Sequence, residues 1–293
     1  MTYMDTEGIR WSFEDEKRRG VRIRRTNGAA WLSFPAFEEL DFVRHGFSTR
    51  EGGVSQGCFK SMNLSFTRGD REEDVRENFR RIAGAIGFET GDLVLSDQTH
   101  TTNVRLVSGD DRGNGFLRPK DYHDVDGLIT DTPGVVLATF YADCVPLYFA
   151  DPVHRAIGLS HSGWRGSAGR MGEVTLSKMA DAFGTRPSDV VCGIGPSVCQ
   201  DCYEVSPEVA ERFMEMFAPC YHADILYKKE NGKYQLDLWE VNRRILLEAG
   251  VKEENIHTAG LCTACNPDLL FSHRISGNER GNLGAFIEII TDH

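Results

Sequence analysis

The sequence predicts a single α/β unit, and three observations carry that prediction. Short uninterrupted apolar runs between residues 135 and 160 read as strands buried on both faces. Capped helical segments lie on either side of these runs, so helices and strands interleave along the chain. No internal repeat, low-complexity tract or linker divides the 293 residues. Length alone allows one large domain or two ordinary ones of roughly 100–200 residues.

In order, residues 9–44 place Val21-Arg22-Ile23 and Ala30-Trp31-Leu32 around Asn27-Gly28, a hairpin signal that predicts a peripheral β region over residues 1–44. His45 to Ser55, with Gly46, Gly52, Gly53 and Arg50, reads as a loop in which backbone approaches something closely. Asp70 and Glu73 form a capping box for a helix whose apolar stripe is Val75, Phe79, Ile82 and Ile86, ended by Gly87. Leu93–Leu95 and Val104–Val107 read as strands on either side of Gln98-Thr99-His100. Residues 108–124 make a long polar loop suited to a lid.

Val135–Tyr141, Val145–Ala150 and Arg155–Ser160 are strands, the last two joined by the turn dipeptide Asp151-Pro152. His161 to Gly166 then forms a loop feeding a helix from Met171 to Phe183, and a helix N-terminus suits an anion. Further along come a strand at 190–196, a helix from Ser206-Pro207 to Phe217, and one capped by Asp237 with Glu240. A strand near 256–260, a loop from Cys262 to Arg280 and a last strand at 285–290 complete the chain.

Composition narrows the function classes. Hydrophobic residues are 40% and charged residues 26%, the balance of a soluble globular protein. No run approaches the roughly 18 apolar residues of a membrane helix. The polar, acidic start from Met1 to Glu7 lacks a signal-peptide core, so a cytoplasmic protein is expected. There, eight cysteines serve as thiols, metal ligands or catalytic groups rather than as a disulfide framework. A net charge of −11 argues against nucleic acid or an anionic membrane as partner. A small anionic ligand needs a local arginine cluster, and Arg50, Arg165, Arg274 and Arg280 all fall in Gly- or Ser-rich loops.

His100, Cys144 and His161 supply two imidazoles and a thiol where extended runs give way to loops. Three protein ligands with a fourth position open form a catalytic zinc site. The same residues also permit a Cys144 nucleophile activated by His161, or a blue-copper centre with Met171 as axial ligand. A multicopper oxidase needs more imidazoles, in His-x-His pairs, than the nine unpaired ones here. Against all of these stands an ordinary core cysteine with hydrogen-bonded histidines. Asp126, Asp143 and Glu204 are candidate acids whose plain alternative is surface charge. Trp164 and Tyr203 can stack on a flat base or simply pack the core. Cys199/Cys202 and Cys262/Cys265 have CxxC spacing, which suits a structural Cys₄ zinc, although nothing in the sequence brings the pairs together.

Taken together, six blocks resemble the YfiH, or laccase-domain, family. They are Phe47-Ser48-Thr49-Arg50 with Gly52 to Ser55 and Met62-Asn63-Leu64; Gln98-Thr99-His100; Ala142-Asp143-Cys144-Val145-Pro146; His161 to Gly166; Gly195-Pro196 with Cys202-Tyr203-Glu204-Val205; and Cys262-Thr263 with Phe271-Ser272-His273-Arg274. The resemblance implies a single compact α+β domain with mixed sheets and flanking helices. It also implies a Zn²⁺ on His100, Cys144 and His161, with Cu²⁺ as the alternative.

The family is associated with purine nucleoside phosphorolysis and adenosine deamination, with polyphenol oxidation as an older label and peptidoglycan-precursor editing linked to relatives. From this follow the expected catalytic residues Cys144, His161, Arg50, Gln98 and Arg165. The expected substrate contacts are Ser48, Arg50, Asn63, Asp126, Trp164, Arg165, Tyr203, Arg274 and Arg280. His273 and Ser162 depart from the usual pattern, and His273 adds a titratable group near the substrate.

Overall fold

The computed structural model describes residues 3–13 and 19–290. Two six-stranded sheets form its centre. One runs, in spatial order, through Arg22–Thr26, Ala29–Ser33, Val43–Ser48, Leu283–Ile289, Val136–Tyr141 and Leu93–Leu95. The other runs through Ile256–Thr258, Val191–Ile194, Val145–Asp151, Ala156–Ser162, Gly127–Thr130 and Val104–Leu106. Each mixes antiparallel pairs with parallel ones at an edge, so the expected α+β class with mixed sheets is the one observed.

Side-chain alternation along the strands sorts the interior into three cores. Leu137, Tyr141, Tyr148, Ile157, Leu159, Leu283 and Ile287 meet between the two sheets. On the outer face of the first sheet, Val136, Ala138, Leu93 and Leu95 pack with Phe79 and Ile82 of the helix Glu72–Ile86. On the outer face of the second, Val145, Leu147 and Phe149 pack with Met179 and Ile245 of the helices Met171–Phe183 and Leu238–Glu248. The layers are therefore helix, sheet, sheet, helices. This stacking explains the uninterrupted apolar runs, because an antiparallel pair covered on both faces has no polar side to show. Phe79 is fully buried, and truncating such a ring to alanine typically costs about 3–5 kcal/mol.

The Asn27-Gly28 hairpin forms, with both residues at positive φ, and Asp237 caps its helix by accepting the Glu240 N–H at 3.0 Å. Other local expectations shift. Asp70 and Glu73 make no capping box: the helix begins at Glu72 with Arg71 before it. Asp70 instead accepts bonds from Ser55 and Asn63. His45 to Ser48 belong to a strand, so only the part from Thr49 onward is loop. Within that loop the close approach is real, since a Cβ on Gly53 would lie 2.1 Å from the Ser61 carbonyl oxygen. Residues 164–168 and 273–276, expected as loop, form short helices. Among the described residues no helix is long and apolar enough to cross a membrane.

His45 gives the fold an acid limit. Its Nε2 accepts the Phe34 N–H at 2.7 Å, and burial pushes its pKa down to about 4 against the opposing pull of Glu38. Unfolded histidine takes up a proton below about pH 6.5, while the folded ring refuses one until about pH 4. Stability is therefore full above about pH 6.5 and falls through that window by about 3 kcal/mol. Denaturant unfolding at neutral and acid pH should show this loss, and His45→Asn should flatten it. An equal slope in the variant would refute the assignment.

Candidate active site

Strand register gathers the histidines and the cysteine. Pro146 lies opposite His161, so Cys144, just ahead of one strand, sits beside Gly163, just beyond the other. Ser160 pairs with Gly127, and the His161 N–H donates to the Asp126 carbonyl at 2.7 Å. A bridge between Asp97 and Val125 carries the turn at 98–101 to the same place. In consequence His100, Cys144 and His161 each offer a ligand atom within 4.8 Å of the other two. The imidazoles meet edge-on, centroids 4.9 Å apart.

Asp126 organises both rings. It is fully buried, and its Oδ1 lies 2.8 Å from His161 Nδ1 and accepts the His100 N–H at 3.1 Å. Its Oδ2 accepts the N–H groups of Thr99 and Thr101 at 2.9 and 3.1 Å. These bonds fold a turn that holds His100 at φ 68°, a left-handed conformation uncommon for a side-chain-bearing residue. Burial by itself would raise the Asp126 pKa, but His161 and the backbone donors hold it below the usual carboxylate value. A carboxylate on Nδ1 fixes the ring and leaves Nε2 for a ligand.

Although burial opposes its charge, Cys144 is held at about 6 by His161 and His100. His161 is correspondingly raised to about 9, against burial, by Cys144 and Asp126. Without a metal these groups form a thiolate–imidazolium pair. Two nitrogens and a thiolate, close together and backed by a buried carboxylate, also fit a zinc ion with one position open to the cavity. Gly163 is what lets them converge: an added Cβ would lie 3.0 Å from Cys144 Sγ and 3.2 Å from His100 Cδ2. Its φ of −71° tolerates alanine. Gly163→Ala should therefore keep its melting temperature yet bind metal roughly tenfold more weakly, by chelator competition.

The three side chains open into a cavity of about 1170 Å³. Seven cationic side chains line it, Arg68, Arg76, Arg118, Lys120, Arg165, Arg274 and Arg280, against the carboxylates of Glu72, Asp97 and Asp143. The local balance reverses that of the whole chain. Arg165 lies over Trp164 at 4.5 Å and Arg274 over Tyr203 at 5.0 Å. Arg280 is 7% exposed, its Nε has no hydrogen-bond partner, and burial with Arg68 nearby lowers its pKa to about 10. A buried, unsatisfied guanidinium donor in a cationic cavity suits an oxyanion.

Several expected residues stand elsewhere. Arg50 gives its guanidinium to the carbonyls of Lys60 and Pro267 and does not line the cavity. Ser48 accepts the Gly284 N–H, and Asn63 accepts that of Asn282, so both support the wall from behind. Gln98 reaches the cavity, but its amide closes a pair of bonds with the Phe140 backbone. Met171 is buried and absent from the cavity wall, and Glu204 pairs with Lys229 and Lys233. Residues 115–120 of the long polar loop do line the cavity.

Sequence reasoning missed Arg68 and Lys120. Arg68, before Gly69 in a Ser/Thr-rich loop, carried the same signal as the other arginines. Asp143 sits at φ 92° and accepts bonds from Thr263 Oγ1 and the Arg274 N–H, both at 2.6 Å.

A family model described as "Multi-copper polyphenol oxidoreductase laccase" matches residues 44–290. The chain belongs to this laccase-domain, or YfiH, family. Among its relatives, the purine nucleoside phosphorylase YlmD of Bacillus subtilis is 37% identical over 83% of this chain and 87% of the relative. A purine nucleoside phosphorylase of Bacteroides thetaiotaomicron is 35% identical over 89% of this chain and 97% of its own. The crystal structure of YlmD from Geobacillus stearothermophilus matches with a TM-score of 0.83 and 35% identity, covering 92% of this chain and 99% of that one. The hypothetical protein YfiH of Bacillus licheniformis gives a TM-score of 0.85 at 32% identity, over 91% and 98%. The laccase-domain fold thus runs through nearly the whole length of each comparison.

Proposed function

We propose that this protein is a cytoplasmic, zinc-dependent purine nucleoside phosphorylase acting on adenosine, inosine and methylthioadenosine, with adenosine deamination as a second activity. The observation that carries this reading is the placement of His100, Cys144 and His161 in the wall of a cationic cavity within a chain of net charge −11. The relatives' name agrees with it. Bound by these three residues, zinc would supply Lewis acidity.

The chain's own side chains do the rest. Arg280, Arg274 and Arg68 bind phosphate, and Trp164 with Tyr203 holds the flat purine. Arg165 steadies the Trp164 face. In phosphorolysis a phosphate oxygen bonds to the ribose anomeric carbon as the carbon–nitrogen bond to the base breaks, and the departing base needs a proton. We assign its delivery to His273, which lines the cavity with Nδ1 held 2.8 Å from the Gly277 carbonyl. Asp126, Gln98, Ser48, Asn63 and Arg50 act through the wall, as positioning residues. In deamination, water adds at the amino-bearing carbon and ammonia leaves, giving inosine. Copper-dependent polyphenol oxidation fits less well, because Met171 lies in the core rather than in the cavity wall.

Zinc-loaded protein with inosine and phosphate should give hypoxanthine and ribose 1-phosphate, and with adenosine adenine or inosine. No turnover of any purine nucleoside would sink the reading. Stoichiometric blue copper would assign an oxidase, and metal-free activity destroyed by alkylation a cysteine hydrolase. Arg280→Gln should raise the phosphate KM roughly 10–100-fold, the worth of a charged hydrogen bond, with a smaller change in nucleoside KM. Equal effects on both would remove Arg280 from the phosphate seat.

A further inference from the structure

Outside the cavity, four cysteines from two distant parts of the chain converge. Cys199 and Cys202 bracket a single turn after the strand Val191–Ile194, while Cys262 and Cys265 bracket another beyond Ile256–Thr258. Backbone bonds zip the turns together: Ser197 N–H to Leu261 at 3.3 Å and Thr263 N–H to Ser197 at 3.1 Å. All four Sγ atoms lie within 4.8 Å of one another, Cys202 to Cys265 at 3.5 Å and Cys199 to Cys265 at 4.0 Å. All four are free thiols.

We propose that Cys199, Cys202, Cys262 and Cys265 form a second metal site, a tetrahedral tetrathiolate that holds a structural zinc ion.

Spacing discriminates among the alternatives. Four sulfurs at about 2.3 Å from a tetrahedral zinc stand about 3.8 Å from each other, close to the separations observed. A disulfide needs about 2.05 Å, and the cluster already has the wider spacing. The Cys199 N–H points at Cys262 Sγ at 3.2 Å, the kind of peptide donor that stabilises a coordinated thiolate. On binding, four S–H protons leave and four Zn–S bonds form, with no change in oxidation state. No ligand position stays open, so the site is closed and structural rather than catalytic.

Its place in the chain gives it a task. Tyr203 directly follows Cys202, and Thr263 directly follows Cys262 and bonds Asp143, which also holds the Arg274 backbone. Tyr203 and Arg274 face each other in the cavity wall. The metal therefore clamps the two segments that bring Tyr203 and Arg274 to the cavity wall, independently of the His100/Cys144/His161 group.

Elemental analysis of the full chain, expressed with zinc and purified without chelator, should find two zinc ions per chain. His100→Ala/His161→Ala should retain one. Substituted with cobalt, that variant should keep an intense thiolate-to-metal charge-transfer band. Adding Cys262→Ser/Cys265→Ser to that variant should abolish the band, and by itself Cys262→Ser/Cys265→Ser should hold at most one zinc and melt at lower temperature. Should it fail to fold, the His100→Ala/His161→Ala protein still decides the matter. A wild-type chain with one zinc that vanishes in His100→Ala/His161→Ala would overturn the proposal. So would mass spectrometry finding these four cysteines in disulfides. Neither result depends on nucleoside turnover, so the active-site reading stands or falls separately.

Discussion

Cys144→Ala protein should fold normally yet lose roughly a thousandfold or more in kcat/KM on purine nucleosides, the scale expected when a Lewis-acid site goes. Cys144 is partly buried at a strand end, packed against the inter-sheet core without lying at its centre. Removing its sulfur therefore costs little packing. Chemically the loss is large, since the thiolate would be the anionic member of the proposed ligand set and is the neighbour that raises the His161 pKa. Metal content measured beside the rates gives the cause: zinc at this site should fall with activity, and circular dichroism should match the wild type. Equal turnover by the variant would remove the thiol, and with it the proposed zinc site, from the reaction.

Most of the fold was legible where the signal was local. Periodic apolar runs, the Asn27-Gly28 turn and the Asp237 cap each depend on residues a few positions apart, and each appears. The Asp70 cap failed for a nonlocal reason, because Ser55 and Asn63 compete for the same carboxylate. That His100, Cys144 and His161 could meet was readable from their residue types at strand ends, and the fold does bring the three together. Their partners were less so: Arg50, Arg165, Arg274 and Arg280 looked alike in sequence, and only folding turned Arg50 toward backbone carbonyls while leaving Arg280 Nε unpaired. The CxxC pairs could not be joined without knowing that the strands 191–194 and 256–258 run side by side in parallel.

Asp126→Asn should weaken metal binding roughly 10–100-fold, the usual effect of losing a carboxylate behind a ligating imidazole, and should also reduce stability. Both effects follow from one count of donors. The carboxylate meets His161 Nδ1 and the N–H groups of Thr99, His100 and Thr101. An amide keeps one oxygen and turns a pair of N–H donors toward the same crowd, so at least one buried donor goes unmet, at about 1–3 kcal/mol. His161 then loses the partner that fixes its ring, and the 99–101 turn loses the acceptor that keeps His100 at positive φ. Cys144→Ala should instead leave this turn intact. Chelator competition and denaturant unfolding on the two variants therefore separate a ligand from the group that positions ligands. If Asp126→Asn bound metal as tightly as the wild type, the turn would be held by its own backbone, and the carboxylate would be a buried charge without a task at the site.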